Sequence, residues 1–229
     1  MCIRDSYIPT YTAVGHTSIY TGTTPKSHGI IGNNWYDKYK KEYIYVVDDK
    51  KYKTIGGNTD EGKKSPNRLV ASTVADELKI AQNFKGKTIG IAIKDRSAIL
   101  PVGHTADIAY WFDGGNEGNW VSSTYYKKEL PKWVNDFNID NKATLKEYLS
   151  KSWDTTLDIE DYDKSTEDHK HFEGTFKTEE KPVFPHKLND LKDKNGNYSI
   201  LKTTPYGNTI TLEFAKAVSY THLTLPTIA

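Results

Sequence analysis

The sequence predicts an α/β fold in which helices flank a mostly parallel sheet. The segment KTIGIAI, Lys87 to Ile93, is a nearly continuous apolar run, which is typical of a parallel strand covered on both faces. An amphipathic helical pattern precedes it, from Ser65 to about Asn83. A helix followed by a buried strand is the repeating unit of α/β proteins, so these observations together favour that class.

Composition excludes several functional classes. The 229 residues carry 31 Lys and Arg against 30 Asp and Glu, so no basic field exists that would gather nucleic acid. A mean hydropathy of −0.69 and the lack of a long apolar run indicate no membrane span. The single cysteine, Cys2, allows neither a disulfide within the chain nor a cysteine-based zinc site.

The first half of the chain predicts two further elements and defines the start of the helix before the buried strand. A short helix is expected from Thr17 to Thr21, ended by Gly22. The alternating, β-branched segment from Lys41 to Asp49 predicts a strand or hairpin arm. Ser65 and Pro66 open the helix before the buried strand, whose apolar positions near a 3.6-residue period are Leu69, Val70, Thr73, Val74 and Leu78.

Beyond Trp111 the pattern changes to turns, aromatic residues and short strands, which indicates an insertion or cap region. Within it we expect a helix from Ala143 to Lys151 and a hairpin-type turn at Asn195-Gly196. The segment from Thr204 to Ala217 predicts a loop that enters a helix.

The segment PTYTAVGH places Thr12 where a strand would pass into a helix. A hydroxyl there lies among unpaired N–H groups at the positive helix end, which favours an anion. It could attack phosphorus if a base or a metal ion lowered its pKa, and Asn33 could donate to a phosphoryl oxygen. Thr12 as a helix N-cap and Asn33 as a turn residue explain the same residues equally well.

Two histidine patterns favour structural interpretations. His16 follows Thr12 by four residues, but no orienting carboxylate accompanies the pair, so a structural role is favoured over a catalytic base. The segment from Asp168 to His171 could suggest metal ligands, but its highly charged neighbours indicate a solvated loop.

The segment from Pro9 to Asp37 (PTYTAVGHTSIYTGTTPKSHGIIGNNWYD) resembles the nucleophile segment of type I phosphodiesterases/nucleotide pyrophosphatases, within the alkaline phosphatase superfamily. The resemblance implies that Thr12 is the nucleophile and a zinc ligand, and that Asn33 contacts phosphate. The segment from Gly86 to Asp113 is similar to the phosphate-irrepressible, PafA-like alkaline phosphatases, in which Lys94 and Arg96 would bind phosphoryl oxygens. Paired cations suit a dianionic monoester better than a monoanionic diester.

The resemblance implies a zinc-dependent phosphatase that hydrolyses small phosphate monoesters through a phosphothreonine, in the periplasm or secreted. Two Zn²⁺ ions would be held by aspartates and histidines that have no counterpart here, so we expect an internal fragment with little activity alone. Residues 1–6 and 218–229 look like translated sequencing adapter that recurs on assembled environmental fragments. Residues 7–110 would form part of the α/β core, 111–203 the cap, and 204–217 a returning core helix.

Two alternatives remain open at this point. A phosphodiesterase or nucleotide pyrophosphatase of the same superfamily would share the nucleophile segment. A non-catalytic binding module would instead use the aromatic region from Trp111 to Trp133 to contact glycans or protein.

Overall fold

The computed structural model describes residues 10–162 and 164–222, and within them the chain forms two compact units. The first unit comprises Met1–Phe112 and Trp120–Lys132, and the second comprises Asp113–Asn119 and Trp133–Ala229. The predicted boundaries after residues 6, 110, 203 and 217 stay predictions.

The first unit contains most of the sheet. Its elements in chain order are α1 (Thr12–Thr21), α2 (Pro25–His28), β1 (Asn34–Asp37), β2 (Glu42–Tyr45), β3 (Thr54–Ile55), α3 (Val74–Ala81), β4 (Ile89–Ala92), α4 (Asp95–Ile99), β5 (Ile108–Asp113) and β6 (Asn119–Ser123). The predicted strand after Lys41 is confirmed as β2, which pairs antiparallel with β1. The predicted short helix is part of α1, which begins five residues earlier than expected, at Thr12.

The main sheet has the strand order β3-β6-β5-β4, and the α/β class is confirmed. The sheet is mixed, because β4 and β5 run parallel whereas β3 and β6 run antiparallel. Every residue of β5 is buried, but β4 is mostly half-buried. The expectation that β4 is covered on both faces is therefore wrong for the described residues, since Gly90 is its one buried residue. In the described sheet β4 is the last strand and pairs with β5.

The core of the first unit packs α1 and α4 against the sheet. Val14 of α1 and Ile99 of α4 are fully buried, as are Ile30 and Val46 from the connecting segments. Trp111 of β5 completes this cluster with 1% of its surface exposed. Helix α1 therefore has a fixed place beside α4, which follows β4 directly.

Helix α3 begins nine residues later than Ser65, and that prediction was wrong. Thr73 caps the helix by accepting the N–H of Asp76, whose carboxylate accepts the N–H of Thr73 in return. The predicted apolar face is also wrong in part, because Val70, Val74 and Leu78 are each more than half exposed. The helix instead buries polar side chains: Asp76 bonds the loop of residues 104–105, and Lys79 pairs with Asp107.

The second unit is mainly helical. Its elements are α5 (Lys132–Asp140), α6 (Lys142–Ser150), β7 (Ser152–Trp153), β8 (His186–Lys187), α7 (Leu188–Leu191) and α8 (Pro205–His222). The helix expected after Ala143 is confirmed as α6, and the helix expected after Thr204 is confirmed as α8. The prediction of a hairpin-type turn at Asn195-Gly196 was wrong. Gly196, with φ +79°, instead lies between two short 3₁₀ helices, Lys192–Lys194 and Asn197–Thr203.

Aromatic rings fill the centre of the second unit. Phe214 of α8 is fully buried and contacts Trp133 and Phe137 of α5, at ring-centroid distances of 5.8 and 5.2 Å. Val218, one turn further along α8, is also buried. Within residues 10–162 and 164–222, no helix combines the length and apolar character needed to cross a membrane.

Candidate active site

Helix α1 begins at the predicted nucleophile. Tyr11 is the N-cap residue, with extended backbone angles of φ −64° and ψ 157°, and Thr12 is the first helical residue. The alternative that Thr12 itself is the N-cap is therefore wrong. The Thr12 side chain is exposed in the first helical turn, where the helix dipole is positive.

Asn33 reaches this helix start from a distant loop. Its Oδ1 atom accepts the N–H of Ala13 at 2.9 Å, so it performs the capping role that the Tyr11 side chain does not. Nδ2 of Asn33 makes no hydrogen bond in the part of the chain that the structure describes, and it can donate to an anion. Asn33 is thus more than a turn residue: the structure brings it to the residue next to Thr12.

The segment HGIIGN explains how Asn33 arrives there. Gly29 ends α2 with φ +82°, and Ile30 is buried in the core. His28 receives the N–H of Ile30 on Nδ1 at 3.1 Å, which leaves Nε2 to donate to Ser18 of α1 at 2.9 Å. Burial lowers the pKa of His28, which favours this neutral form. Sequence reasoning missed His28, although its place directly before Gly29 was visible.

Lys94 and Arg96 lie directly beyond the carboxyl end of β4. Lys94 is exposed and is the N-cap residue of α4, and Arg96 is the second residue of that helix. The Nη1 atom of Arg96 donates to the Tyr45 hydroxyl at 2.8 Å. The Nε atom of Arg96 is buried and has no hydrogen-bond partner among the described residues, so it is a donor suited to an anion.

Electrostatics links Arg96 to α1. His16 is half-buried, and burial together with the positive charge of Arg96 lowers its pKa below the ordinary value. His16 lies one turn after Thr12, and α4, which carries Arg96, packs against α1. Within residues 10–162 and 164–222, the exposed Lys94 side chain makes no hydrogen bond or ion pair with Thr12, Asn33 or Arg96.

A polar network behind Arg96 was not predicted. The Tyr45 hydroxyl donates to Oδ1 of Asp95 at 2.5 Å, and the same oxygen accepts the N–H of Arg96 at 2.6 Å. Lys64 lies 3.6 Å from the other Asp95 oxygen. The acidic residue between Lys94 and Arg96 was the only signal in the sequence, since Tyr45 and Lys64 are far away along the chain.

The described residues do not supply a complete metal site. Within residues 10–162 and 164–222, no three His, Cys, Asp or Glu side chains are grouped so that they could hold a metal ion. His169 and His171 are exposed, and Asp168 accepts the N–H of Phe184 at 2.9 Å, which agrees with a solvated loop. Thr12 as a zinc ligand and the two Zn²⁺ ions stay predictions.

The aromatic binding surface that the alternative requires is not formed by the tryptophans after β4. Trp111 and Trp120 are 1% and 0% exposed, and Trp111 donates its indole N–H to the carbonyl of Glu61 at 3.0 Å. These rings belong to the core of the first unit. Tyr125, Tyr126 and Trp133 of the same region are half-buried, so the binding-module alternative loses Trp111 and Trp120 but is not tested further.

Comparisons with known proteins identify the family of the chain. The family model described as type I phosphodiesterase/nucleotide pyrophosphatase matches residues 4–208. Alkaline phosphatase PhoV of Synechococcus elongatus is 49% identical over 211 residues, covering 92% of this chain and 38% of that protein. Alkaline phosphatase PafA of Elizabethkingia meningoseptica is 45% identical over 217 residues, covering 94% and 39%. A Myroides odoratus protein named calcium-transporting ATPase is 48% identical over 210 residues, covering 92% and 38%.

A solved structure of wild-type PafA superimposes with a TM-score of 0.84 at 42% identity, over 93% of this chain and 41% of that one. A PafA variant in which one threonine, one asparagine, one lysine and one arginine are replaced gives the same TM-score at 41% identity. The chain thus spans about two fifths of the length of these proteins. It belongs to the type I phosphodiesterase/nucleotide pyrophosphatase family and has the α/β fold of its alkaline phosphatase relatives.

Proposed function

We propose that this chain is part of a phosphate monoester hydrolase of the alkaline phosphatase type, in which Thr12 is the nucleophile. The observation that carries the proposal is the contact between Asn33 and the N–H of Ala13. It places an amide donor beside an exposed hydroxyl at the positive end of a helix. That combination suits a phosphoryl group whose charge increases as the bond to the leaving group breaks.

The Thr12 hydroxyl loses its proton and its oxygen attacks phosphorus in line. The bond from phosphorus to the ester oxygen breaks, and the leaving oxygen takes up a proton to become an alcohol. Water then attacks the phosphothreonine, so inorganic phosphate leaves and the hydroxyl is restored. The positive end of the α1 dipole favours the deprotonated form of Thr12 during attack. Two Zn²⁺ ions are part of the proposal for the longer protein only, because the described residues do not supply their ligands.

Asn33, Lys94 and Arg96 bind the phosphoryl oxygens in this proposal. Asn33 offers Nδ2, and Arg96 offers Nε, which is buried without a partner among the described residues. Two cations at one strand end favour a dianionic monoester over a monoanionic diester. The same reasoning makes small phosphate monoesters the substrates, rather than diesters or nucleic acid.

The replaced residues of the PafA variant support this assignment. Its threonine and asparagine are separated by as many positions as Thr12 and Asn33, and its lysine and arginine are two positions apart, as Lys94 and Arg96 are. The relatives named alkaline phosphatase support the reaction class. For the longer protein we also propose a periplasmic or secreted location.

The test compares monoester and diester turnover in the longer protein that contains this chain. Lys94→Ala and Arg96→Ala should each lower the rate on p-nitrophenyl phosphate by about 10²-fold and the rate on its bis ester much less. Lys40→Ala, an exposed lysine in the β1–β2 turn, is the control and should change neither rate. Equal losses on both substrates would favour the phosphodiesterase alternative.

We further propose that the chain by itself has little activity. The measurement is the p-nitrophenyl phosphatase rate of the purified 229-residue chain with added Zn²⁺. A zinc-dependent rate that Thr12→Ala abolishes would contradict this part of the proposal while supporting the nucleophile.

A further inference from the structure

We propose that Tyr45 is a positioning residue, which sets the direction of the Arg96 guanidinium toward the start of α1. This inference rests on the proposed phosphoryl-binding role of Arg96. Tyr45 is the last residue of β2, and its hydroxyl accepts the Nη1 hydrogen of Arg96 at 2.8 Å. The guanidinium is planar and rigid, so fixing one nitrogen fixes the directions of its remaining donors.

The Tyr45 hydroxyl is itself held in one orientation. It donates to Oδ1 of Asp95 at 2.5 Å, and Asp95 is only 7% exposed. Because the single phenolic hydrogen points at Asp95, the oxygen lone pairs face Arg96. Burial and the neighbouring Asp95 raise the pKa of Tyr45 well above its ordinary value, so the phenol remains protonated in alkaline solution.

A phenol in this position leaves the charge of Arg96 available. None of the ion pairs within residues 10–162 and 164–222 includes Arg96. The Asp95 carboxylate lies instead between the Tyr45 hydroxyl and Lys64, whose ammonium group is 3.6 Å from Oδ2. A carboxylate bonded directly to the guanidinium would cancel its attraction for a dianion, whereas a neutral hydroxyl orients it without that loss.

The same hairpin also fixes Asn33. Tyr45 lies opposite Asn34 in the β1–β2 ladder, and the next residue, Val46, donates its N–H to the carbonyl of Asn33 at 3.0 Å. The end of β2 therefore holds the Asn33 backbone on one side and the Arg96 guanidinium on the other. The β1–β2 hairpin therefore sets the separation between Asn33 and Arg96. Preorganised binding of one phosphoryl group requires such a fixed separation.

The first test is a spectroscopic signature of Arg96 in the 229-residue chain. In the unsubstituted chain, the bond from Nη1 to Tyr45 should slow rotation about the Cζ–Nη bond and give separate ¹⁵N-coupled Nη hydrogen signals. Tyr45→Phe should merge or broaden them. Tyr43→Phe is the matched control, because Tyr43 lies on the same strand, is 82% exposed and should leave the signals unchanged.

The second test titrates inorganic phosphate onto the same variants and follows backbone amide shifts of α1. Tyr45→Phe should weaken phosphate binding about five- to tenfold, the effect typical of losing one hydrogen bond. Tyr43→Phe should change the phosphate affinity by less than about twofold. In an Arg96→Ala background Tyr45→Phe should have no further effect, because a positioning residue acts only through its partner.

The outcomes separate this inference from the proposed function. If Arg96→Ala leaves phosphate binding unchanged, the phosphoryl-binding role of Arg96 is wrong, yet the Nη signals still decide whether Tyr45 orients it. If phosphate binding depends on Arg96 but Tyr45→Phe matches the unsubstituted chain in both tests, the positioning role is wrong. Asp95→Ala provides a second variant, and it should reproduce the Tyr45→Phe changes because it removes the acceptor that holds the phenolic hydrogen.

Discussion

The two units bury their ionisable side chains in different ways. In the first unit, Asp76 is 2% exposed and accepts hydrogen bonds from Thr73, His104 and Thr105 at 2.8 to 3.1 Å. In the second unit, His186 is 6% exposed, but aromatic rings surround it, and its Nδ1 atom makes a polar contact with Glu179 at 2.8 Å.

The rings around His186 are those of Trp153, Phe184 and Phe176, with centroids 5.0, 5.0 and 5.3 Å away. Ring packing is stabilising over a range of orientations, whereas hydrogen bonds depend steeply on direction. The first unit therefore fixes the directions of individual polar groups, as a site for a charged substrate requires. The second unit is stabilised mainly by shape and apolar burial.

The largest expected effect tests the aromatic unit. Phe214→Ala should lower the free energy of unfolding by about 3–5 kcal/mol, because it removes a fully buried ring that contacts Trp133 and Phe137. Leu212→Ala, two residues earlier in α8 and 56% exposed, should cost less than about 1 kcal/mol. Chemical denaturation measures both, and equal losses would contradict the packing described for α8.

A smaller effect tests the polar unit and carries a pH signature. Burial alone would raise the pKa of Asp76, but hydrogen bonds from Thr73 and Thr105 lower it below its ordinary value of 3.8. Its contribution to stability is therefore complete above that value and is lost as the pH falls through the lowered pKa. Asp76→Asn should cost about 1–3 kcal/mol at pH 7 and remove this acid-dependent loss.

The matched control is Glu77→Gln, one residue along α3 on the exposed side. It should leave both the unfolding free energy and its acid dependence nearly unchanged. Urea denaturation repeated from neutral to acidic pH gives the comparison. If Asp76→Asn and the unsubstituted chain lose stability in parallel below pH 3.8, the carboxylate is not the group that the structure indicates.

A third substitution tests how closely the loop at residues 103–105 packs against the Asp76 carboxylate. Gly103 has φ +67°, and an added Cβ would lie 1.9 Å from Oδ2 of Asp76, so Gly103→Ala should cost about 1–3 kcal/mol. Gly174 of the second unit has no atom within 4 Å of an added Cβ. Gly174→Ala should change the free energy of unfolding, measured by chemical denaturation, by less than about 0.5 kcal/mol. A similar loss at both glycines would contradict the contrast between the two units.

The smallest expected effect is a stabilisation of the site helix. Gly15 lies inside α1 with no atom within 4 Å of an added Cβ, so Gly15→Ala should stabilise the chain by about 0.5–1 kcal/mol. Gly22→Ala should instead destabilise it by about 1 kcal/mol, because Gly22 ends the same helix at φ +67°. Hydrogen exchange of the α1 amides measures both changes, and a loss of protection with Gly15→Ala would show that α1 is packed more tightly than described.

Local patterns predicted much of the fold. Gly22 ends α1 as expected, the apolar run before Lys94 is a strand, and α6 and α8 lie close to their predicted positions. Among the wrong predictions, the start and the apolar face of α3 failed because polar contacts competed with apolar periodicity. A helix can bury a carboxylate that is fully hydrogen-bonded, and no periodicity of apolar residues reveals that.

The sequence by itself determined the residue types of the candidate site, because Thr12, Asn33, Lys94 and Arg96 stand in short motifs whose chemistry is local. Only the tertiary structure decided that Asn33 caps the helix of Thr12 and that Tyr45 bonds Arg96 from 51 residues away. Such contacts depend on how β1, β2 and α4 pack in space. A hydrogen bond between distant residues leaves no periodic trace in either segment, so folding alone reveals it.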